Sequence, residues 1–282
     1  MTHVMACIDG SAVSAAVCDC AAWASRRLGA PLTLLHVLDQ REYPTAAADL
    51  SGIIGLGSRE FLLHELATLD EQRNRLALEQ GRLMLEAAKE RVSAAGVETA
   101  ELRQRHGDLP QSLRELEPET RLLVIGRQGE SAPEQQVGSR LESVIRILHR
   151  PILVVPPQFE APRSVLFAFD TSDTARKGVE MLVDSPLFKG LPLHLVMVGA
   201  DSGEARAALE AARASLEAAG FAVQAAIRPG EVEPELHAYQ AEHGLDLLVM
   251  GAYGHSRIRQ FFVGSTTSSL LRTSTTALLL LR

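Results

Sequence analysis

Ser164-Val-Leu-Phe-Ala-Phe-Asp170-Thr-Ser172 is an apolar run ending in Asp-x-Ser, and it lies over His3-Val-Met-Ala-Cys-Ile-Asp9-Gly-Ser11 at an offset of 161 residues. The same offset carries Pro31-Leu-Thr-Leu-Leu-His-Val37 onto Pro192-Leu-His-Leu-Val-Met-Val198. Leu122-Leu-Val-Ile-Gly126 then lies over Leu247-Leu-Val-Met-Gly251 at an offset of 125, so the first copy holds 36 more residues between its second and fourth apolar runs. One folding unit is used twice, with an insertion in the first use.

Each run is short, unbroken and rich in Val, Ile and Leu, the pattern of strands covered on both faces of a parallel sheet. Strands are expected near 3–9, 32–38, 97–105, 121–126 and 151–155, and again near 164–170, 193–198, 221–228, 246–251 and 277–281. Helices are expected between them. Ser11 or Ser14 can cap one that ends at Gly29, and Asp70 one that ends at Gly96; Ser172 and Ser202 open their counterparts. The expected fold class is therefore α/β, as two tandem doubly wound domains, each an open five-stranded parallel sheet flanked by helices. Pro156-Pro-Gln-Phe-Glu-Ala-Pro162 stiffens the chain and marks a boundary, so the domains are expected over 1–156, with an insertion near 40–69, and over 163–282.

Composition narrows the function. At 282 residues, with 46% hydrophobic and 22% charged residues, the chain is neither disordered nor fibrous. Aromatics are 4% and Trp23 is the one tryptophan, too few for base-stacking platforms, and a net charge of -7 opposes a phosphate backbone or an anionic membrane surface. No nucleic-acid partner is expected. Cys7, Cys18 and Cys20 cannot staple the rest of the chain, which points to a reducing compartment. With no basic n-region and no apolar run of about 18 residues, a cytoplasmic protein without a membrane span is expected.

Gly251-Ala-Tyr-Gly254-His-Ser-Arg257-Ile-Arg259-Gln-Phe-Phe-Val-Gly264-Ser265-Thr266-Thr267 follows a predicted strand and precedes a predicted helix. Gly251 and Gly254 would let backbone N–H groups approach an anion with no Cβ between, and Gly264 to Thr267 would open a helix whose free N–H groups and dipole favour negative charge. Arg257 and Arg259 read equally well as phosphate neutralisers and as solvated loop charges. Asp170 divides evenly between ligand contact and capping of the next helix, for which Ser172 competes. His36 and His194 read as satisfied core or sheet-end histidines. Gly52-Ile-Ile-Gly55-Leu-Gly57 follows no strand and has no lysine, so it reads as a flexible connection; the apolar residues around Leu50 to Leu66 could instead form a helix over the sheet or a lid.

On these residues the whole chain resembles a tandem universal stress protein, two universal stress protein A domains fused, over Asp9 to Val155 and Asp170 to Leu281 and most specifically over Gly251 to Thr267. The resemblance implies ATP, with or without Mg2+, in the second copy. Gly251, Gly254, His255, Ser256 and Arg257 would pass under the ribose and phosphates, and Gly264, Ser265, Thr266 and Thr267 would hold the phosphates. Asp170 and the Ala168 backbone would sit near adenine and ribose, and the Val198 backbone would read the adenine edge. The first copy departs from the pattern: eight residues rather than nine separate Gly129 from Gly138, and they include Glu130, Pro133 and Glu134. Carboxylates beside a triphosphate are unfavourable, so that copy is expected to be weak or dead for ATP.

The runs 152–155 and 278–281 read as apolar sheet edges, which invite pairing. The resemblance implies that the two halves pair there as an intramolecular pseudo-dimer, with a homodimer of chains as a further expectation. The expected function is a nucleotide-dependent stress sensor or regulator acting on a protein partner the sequence does not name. No nucleophile, base and orienter come together, so at most slow ATP hydrolysis is expected. The alternative is a nucleotide-independent scaffold, or a protein whose first-copy insertion holds an apolar, lipid-like ligand.

Overall fold

The apolar runs form strands because alternate residues meet apolar cover on opposite faces. Along the first of them Val4 and Ala6 join one buried cluster and Met5 and Cys7 the other. The structure, a computed structural model, describes residues 2–38, 56–128, 139–252 and 265–282. Its first half runs β1 (His3–Cys7), α1 (Ser14–Leu28), β2 (Leu32–Leu38), α2 (Leu56–Ala94), β3 (Ala100–His106), α3 (Leu109–Leu116), β4 (Thr120–Gly126), α4 (Ser139–Ile147) and β5 (Ile152–Val155). The second runs β6 (Val165–Ala168), α5 (Asp173–Asp184), β7 (Leu193–Val198), α6 (Gly203–Ala218), β8 (Val223–Arg228), α7 (Val232–His243), β9 (Leu247–Gly251), α8 (Ser265–Thr273) and β10 (Ala277–Leu281).

Strand order is β3-β2-β1-β4-β5-β10-β9-β6-β7-β8, so each half has the same doubly wound order and the halves share one sheet. Every pairing within a half is parallel. The seam is antiparallel, with Val154 beside Leu278, Leu153 beside Leu279 and Ile152 beside Leu280. Each of the two runs that read as edges covers the other, and both are buried throughout. One face is covered by α1, α2, α5 and α6 and buries Trp23, Phe167 and Phe188, and the other is covered by α3, α4, α7 and α8 and buries Leu113, Ile145, Tyr239 and Leu270.

Several ends form for the local reasons expected. Gly29 ends α1 at φ 56°, and Ser172 and Ser202 cap α5 and α6 by accepting from the Ala175 and Ala205 N–H groups at 3.2 and 3.1 Å. Other ends differ. Ser11 and Ser14 do not cap α1: both hydroxyls donate to Asp9 Oδ1, at 2.6 and 3.0 Å, because the nearby carboxylate is the stronger acceptor. Asp70 lies within α2 rather than at its start. The β3 strand begins at Ala100 instead of near 97, because the Val97 N–H returns to the Val92 carbonyl at 3.0 Å to close α2. Gly57 is the first turn of α2, whereas Gly52 and Gly55 fall outside the described residues. Of the residues around Leu50 to Leu66, those before Leu56 lie outside the described residues; from His64 to Leu76 the α2 side chains are exposed or half-buried.

Candidate functional site

From β6 the chain crosses to β7 on one side, while β9 lies on the other, with Ala168 beside Met250. The carboxyl ends of β6 and β9 therefore flank the topological switch point where doubly wound sheets take ligands. Past β6 the backbone turns sharply at Thr171, which has φ 61°, a left-handed conformation that a β-branched residue rarely adopts. Asp170 is exposed and its Oδ1 accepts from both the backbone N–H and the hydroxyl of Ser172, at 3.1 and 2.6 Å. Ser172 in turn accepts from the Ala175 N–H, so the carboxylate orients the capping hydroxyl and Ser172, not Asp170, is the cap. Negative charge is thereby placed at the first turn of α5.

Gly251 closes the other side. A Cβ there would come within 3.1 Å of Thr174 Cγ2 and 3.6 Å of the Ala175 nitrogen, so the missing side chain is what lets the end of β9 meet the start of α5. Ala168 and Val198 are half-buried at the ends of β6 and β7. Ser265 opens α8, Thr266 is half-buried and Thr267 is buried. The far end of α8 is fixed to α7: Thr273 donates to Glu233 Oε1 at 2.9 Å, and Ser269 donates to Oε2. These two hydroxyls hold the Glu233 carboxyl below its usual range. Gly254, His255, Ser256, Arg257 and Gly264 lie outside the described residues.

The equivalent place in the first half has different cover. Asp9 repeats the Asp170 pattern, with Oδ1 accepting from the Ser11 N–H at 3.0 Å, but Gly10 (φ 77°) stands where Thr171 stands in the second half. A Cβ at Gly10 would meet Met84 Sδ at 2.3 Å, so the α2 side chain rests on this turn. Gly81 brings the same helix onto His36 and Gln104, where a Cβ would lie 2.6 Å from His36 Cδ2 and 2.3 Å from Gln104 Nε2. His36 Nδ1 is 2.7 Å from the Ile8 carbonyl, while its buried Nε2 has no hydrogen-bond partner, so this histidine is only half satisfied. His194 is satisfied through Nδ1, 3.0 Å from the Tyr239 hydroxyl.

Among the described residues no three His, Cys, Asp or Glu side chains are placed to hold a metal ion, and no helix is long and apolar enough to cross a membrane. Thr171 and Met84 escaped sequence reasoning. Threonine carries no signal for a left-handed turn, and Met84 meets Gly10 only through tertiary packing. The alignment of Thr171 with Gly10 was the one available hint.

Comparison with known proteins agrees with this fold. The profile of the Universal stress protein family matches residues 1–156 and again 162–282. The universal stress protein Slr1230 of Synechocystis sp. is 36% identical over 287 residues, covering all of both chains. A crystal structure of a universal stress protein from Archaeoglobus fulgidus superposes with a TM-score of 0.73 at 20% identity, over 99% of this chain and 97% of that one. A functionally unknown protein of Pseudomonas aeruginosa superposes with a TM-score of 0.61 at 15% identity, over 100% and 92%.

Proposed function

The chain belongs to the universal stress protein family, and from that premise we propose that its C-terminal half binds ATP as a regulatory ligand in the crevice beyond β6 and β9. The observation that carries this reading is the convergence of Asp170, the left-handed Thr171, Gly251 and the first turn of α5 at the switch point. The residues fit a nucleotide. Gly251 lets β9 end against the start of α5, Thr266 and the first turn of α8 offer donors to phosphate, and exposed Asp170 is an acceptor for ribose hydroxyls. Gly254, His255, Ser256, Arg257, Gly264, Ser265 and Thr267 complete the phosphate side, and the backbones of Ala168 and Val198 the base side. Mg2+ would ride on the phosphates, as it usually does, rather than in a protein cage.

In this reading residues 1–156 and 163–282 are the working units, and the β5–β10 seam joins them as an intramolecular counterpart of a dimer. The N-terminal unit takes no ATP, because Met84 covers Gly10 and acidic residues replace the basic ones in its loop. ATP acts by setting conformation or partner choice in a cytoplasmic setting, consistent with three free, buried cysteines. The test is mass spectrometry of small molecules released from denatured protein, with calorimetric titration of ATP, ADP, AMP and cAMP. A single equivalent of adenine nucleotide per chain, weakened about tenfold or more by Gly264→Asp, is expected. Absence of both copurified nucleotide and calorimetric binding would refute the reading.

A second reading, apolar-ligand binding, is favoured by a cavity of about 250 Å³ between the halves, whose walls include Leu28, Met181, Phe188 and Leu279 with Arg121 and Asp184 beside them. The same extraction would then release a lipid-like molecule and no nucleotide.

A further inference from the structure

The helix α2 has 39 residues and its second-half counterpart α6 has 16, and packing does not account for the difference. At 1.5 Å per residue α2 is about 58 Å long. Its packed face is Ala77, Gly81, Leu85, Ala88 and Val92, which recur at helical spacing and are buried against the first half.

A second pattern runs along another face. Leu62, Leu69, Leu76 and Leu83 recur every seven residues, with Leu66, Arg73 and Gln80 four residues after the first three of them. Leu69, Leu76 and Leu83 are 48%, 70% and 55% exposed. At 100° per residue these three exposed leucines are turned about 140° from the packed face, so α2 cannot bury both on its own domain. Single exposed leucines need no explanation, but leucines repeating every seven residues fill one of the two seam positions of a coiled coil, and of the other positions Leu66 is apolar while Arg73 and Gln80 are polar exceptions that cost stability.

We propose that this seam pairs two copies of the chain through an antiparallel α2–α2 coiled coil. The occupant is a second copy because a seven-residue seam is read by a helix of the same period, which this chain itself supplies, and a two-fold contact closes on itself. Direction follows from charge. Parallel pairing would stack Arg73 on the partner's Arg73 and face Glu65 with the partner's Asp70. Antiparallel pairing about the midpoint between Arg73 and Leu76 sets Arg73 against the partner's Leu76, Leu66 against the partner's Leu83 and Leu69 against the partner's Gln80. The Arg73 stem covers the leucine while its guanidinium reaches the rim. The two bodies then sit at opposite ends of the helix pair, each on the face turned away from the seam. Two polar seam positions set the register and keep the dimer weak.

Sedimentation velocity of the full chain from low to high micromolar concentration tests this. The wild type is expected to shift from monomer to dimer, and Leu76→Glu to weaken the dimer about thirtyfold or more with unchanged circular dichroism. Leu69→Glu should do the same, which guards against a fault peculiar to one variant. A wild type that stays monomeric, or a dimer indifferent to both substitutions, overturns the proposal, as does a monomer that floats with phosphatidylcholine vesicles through this helix. Direction is read by oxidising a mixture of Leu66→Cys and Leu83→Cys proteins, in which the native thiols are buried. A disulfide joining the two variants is expected, and one joining two Leu66→Cys chains overturns the antiparallel arrangement.

Discussion

The Met84 thioether stands over Gly10 so closely that a Cβ there would lie 2.3 Å from Sδ. The α2 helix thus reaches back to the Asp-x-Ser turn of its own half, and Gly10, at φ 77°, is the residue that admits it. Gly10→Ala should cost about 2 kcal/mol, part left-handed strain and part displacement of Met84. In a Met84→Ala background only the strain remains, so the cost should fall to about 1 kcal/mol. Urea midpoints of the four proteins measure the coupling, and equal costs in both backgrounds would show that the contact carries no energy.

Thr171 holds the matching place in the second half at φ 61°, with a branched side chain instead of none. Strain of this kind persists where the surroundings impose it, and it concentrates at ligand sites. Thr171→Gly removes about 1–2 kcal/mol of left-handed cost and adds about 0.5–1 kcal/mol of chain entropy, so a net gain of roughly 0.5–1 kcal/mol is expected. Thermal melting checks the stability. Calorimetry with ATP checks the function, where looser positioning of Asp170 should weaken binding.

The strands were legible because runs such as Leu247–Gly251 are apolar on both faces, and only a doubly covered sheet accommodates that. Gly29 and Ser172 were legible as helix ends because their chemistry acts within a few residues. Ser11 and Ser14 misled because both hydroxyls donate hydrogen bonds to Asp9, a competition that no capping rule includes. Asp70 reads locally as a cap, yet helix-forming residues from Leu56 onward carry α2 through it. At the candidate site, Asp170 and Gly251 could be read from their position after strands. The Met84 cover and the Thr171 backbone could not, since one depends on residues far apart in the chain and the other on a conformation threonine seldom takes.

His194 gives the fold a pH dependence of defined sign. Burial, and then His243 with its ring 5.0 Å away, lower the His194 pKa; the Tyr239 hydroxyl also faces it, and Arg228 lies over the Tyr239 ring. The native state keeps this imidazole neutral, whereas the unfolded chain takes up a proton near pH about 6.5. Its contribution is therefore whole above that pH and is lost as pH falls through it toward the lower native value. Urea midpoints should decline from pH 7.5 to 5.5, and His194→Gln should flatten the decline. An equal slope in the variant would assign the titration elsewhere.

Cys18 and Cys20 are two apart on α1, yet both are buried, because α1 is covered by α2 as well as by β1 and β4. Burial raises all three thiols, Cys18 to about 11 and Cys7 and Cys20 higher, and nearby Asp9 and Asp19 add to the effect. At pH 8 a thiol of pKa about 11 is ionised to about one part in a thousand, and the thiolate is the reacting species. Native protein should therefore not react with a disulfide reagent on the timescale of minutes, and three thiols per chain should appear once denaturant is added. Because each thiol lies in the first-half core, their release should follow the unfolding of that core rather than ATP or its removal. Fast labelling of the native protein, or labelling that ATP suppresses, would mean that α1 opens locally without the rest of the domain.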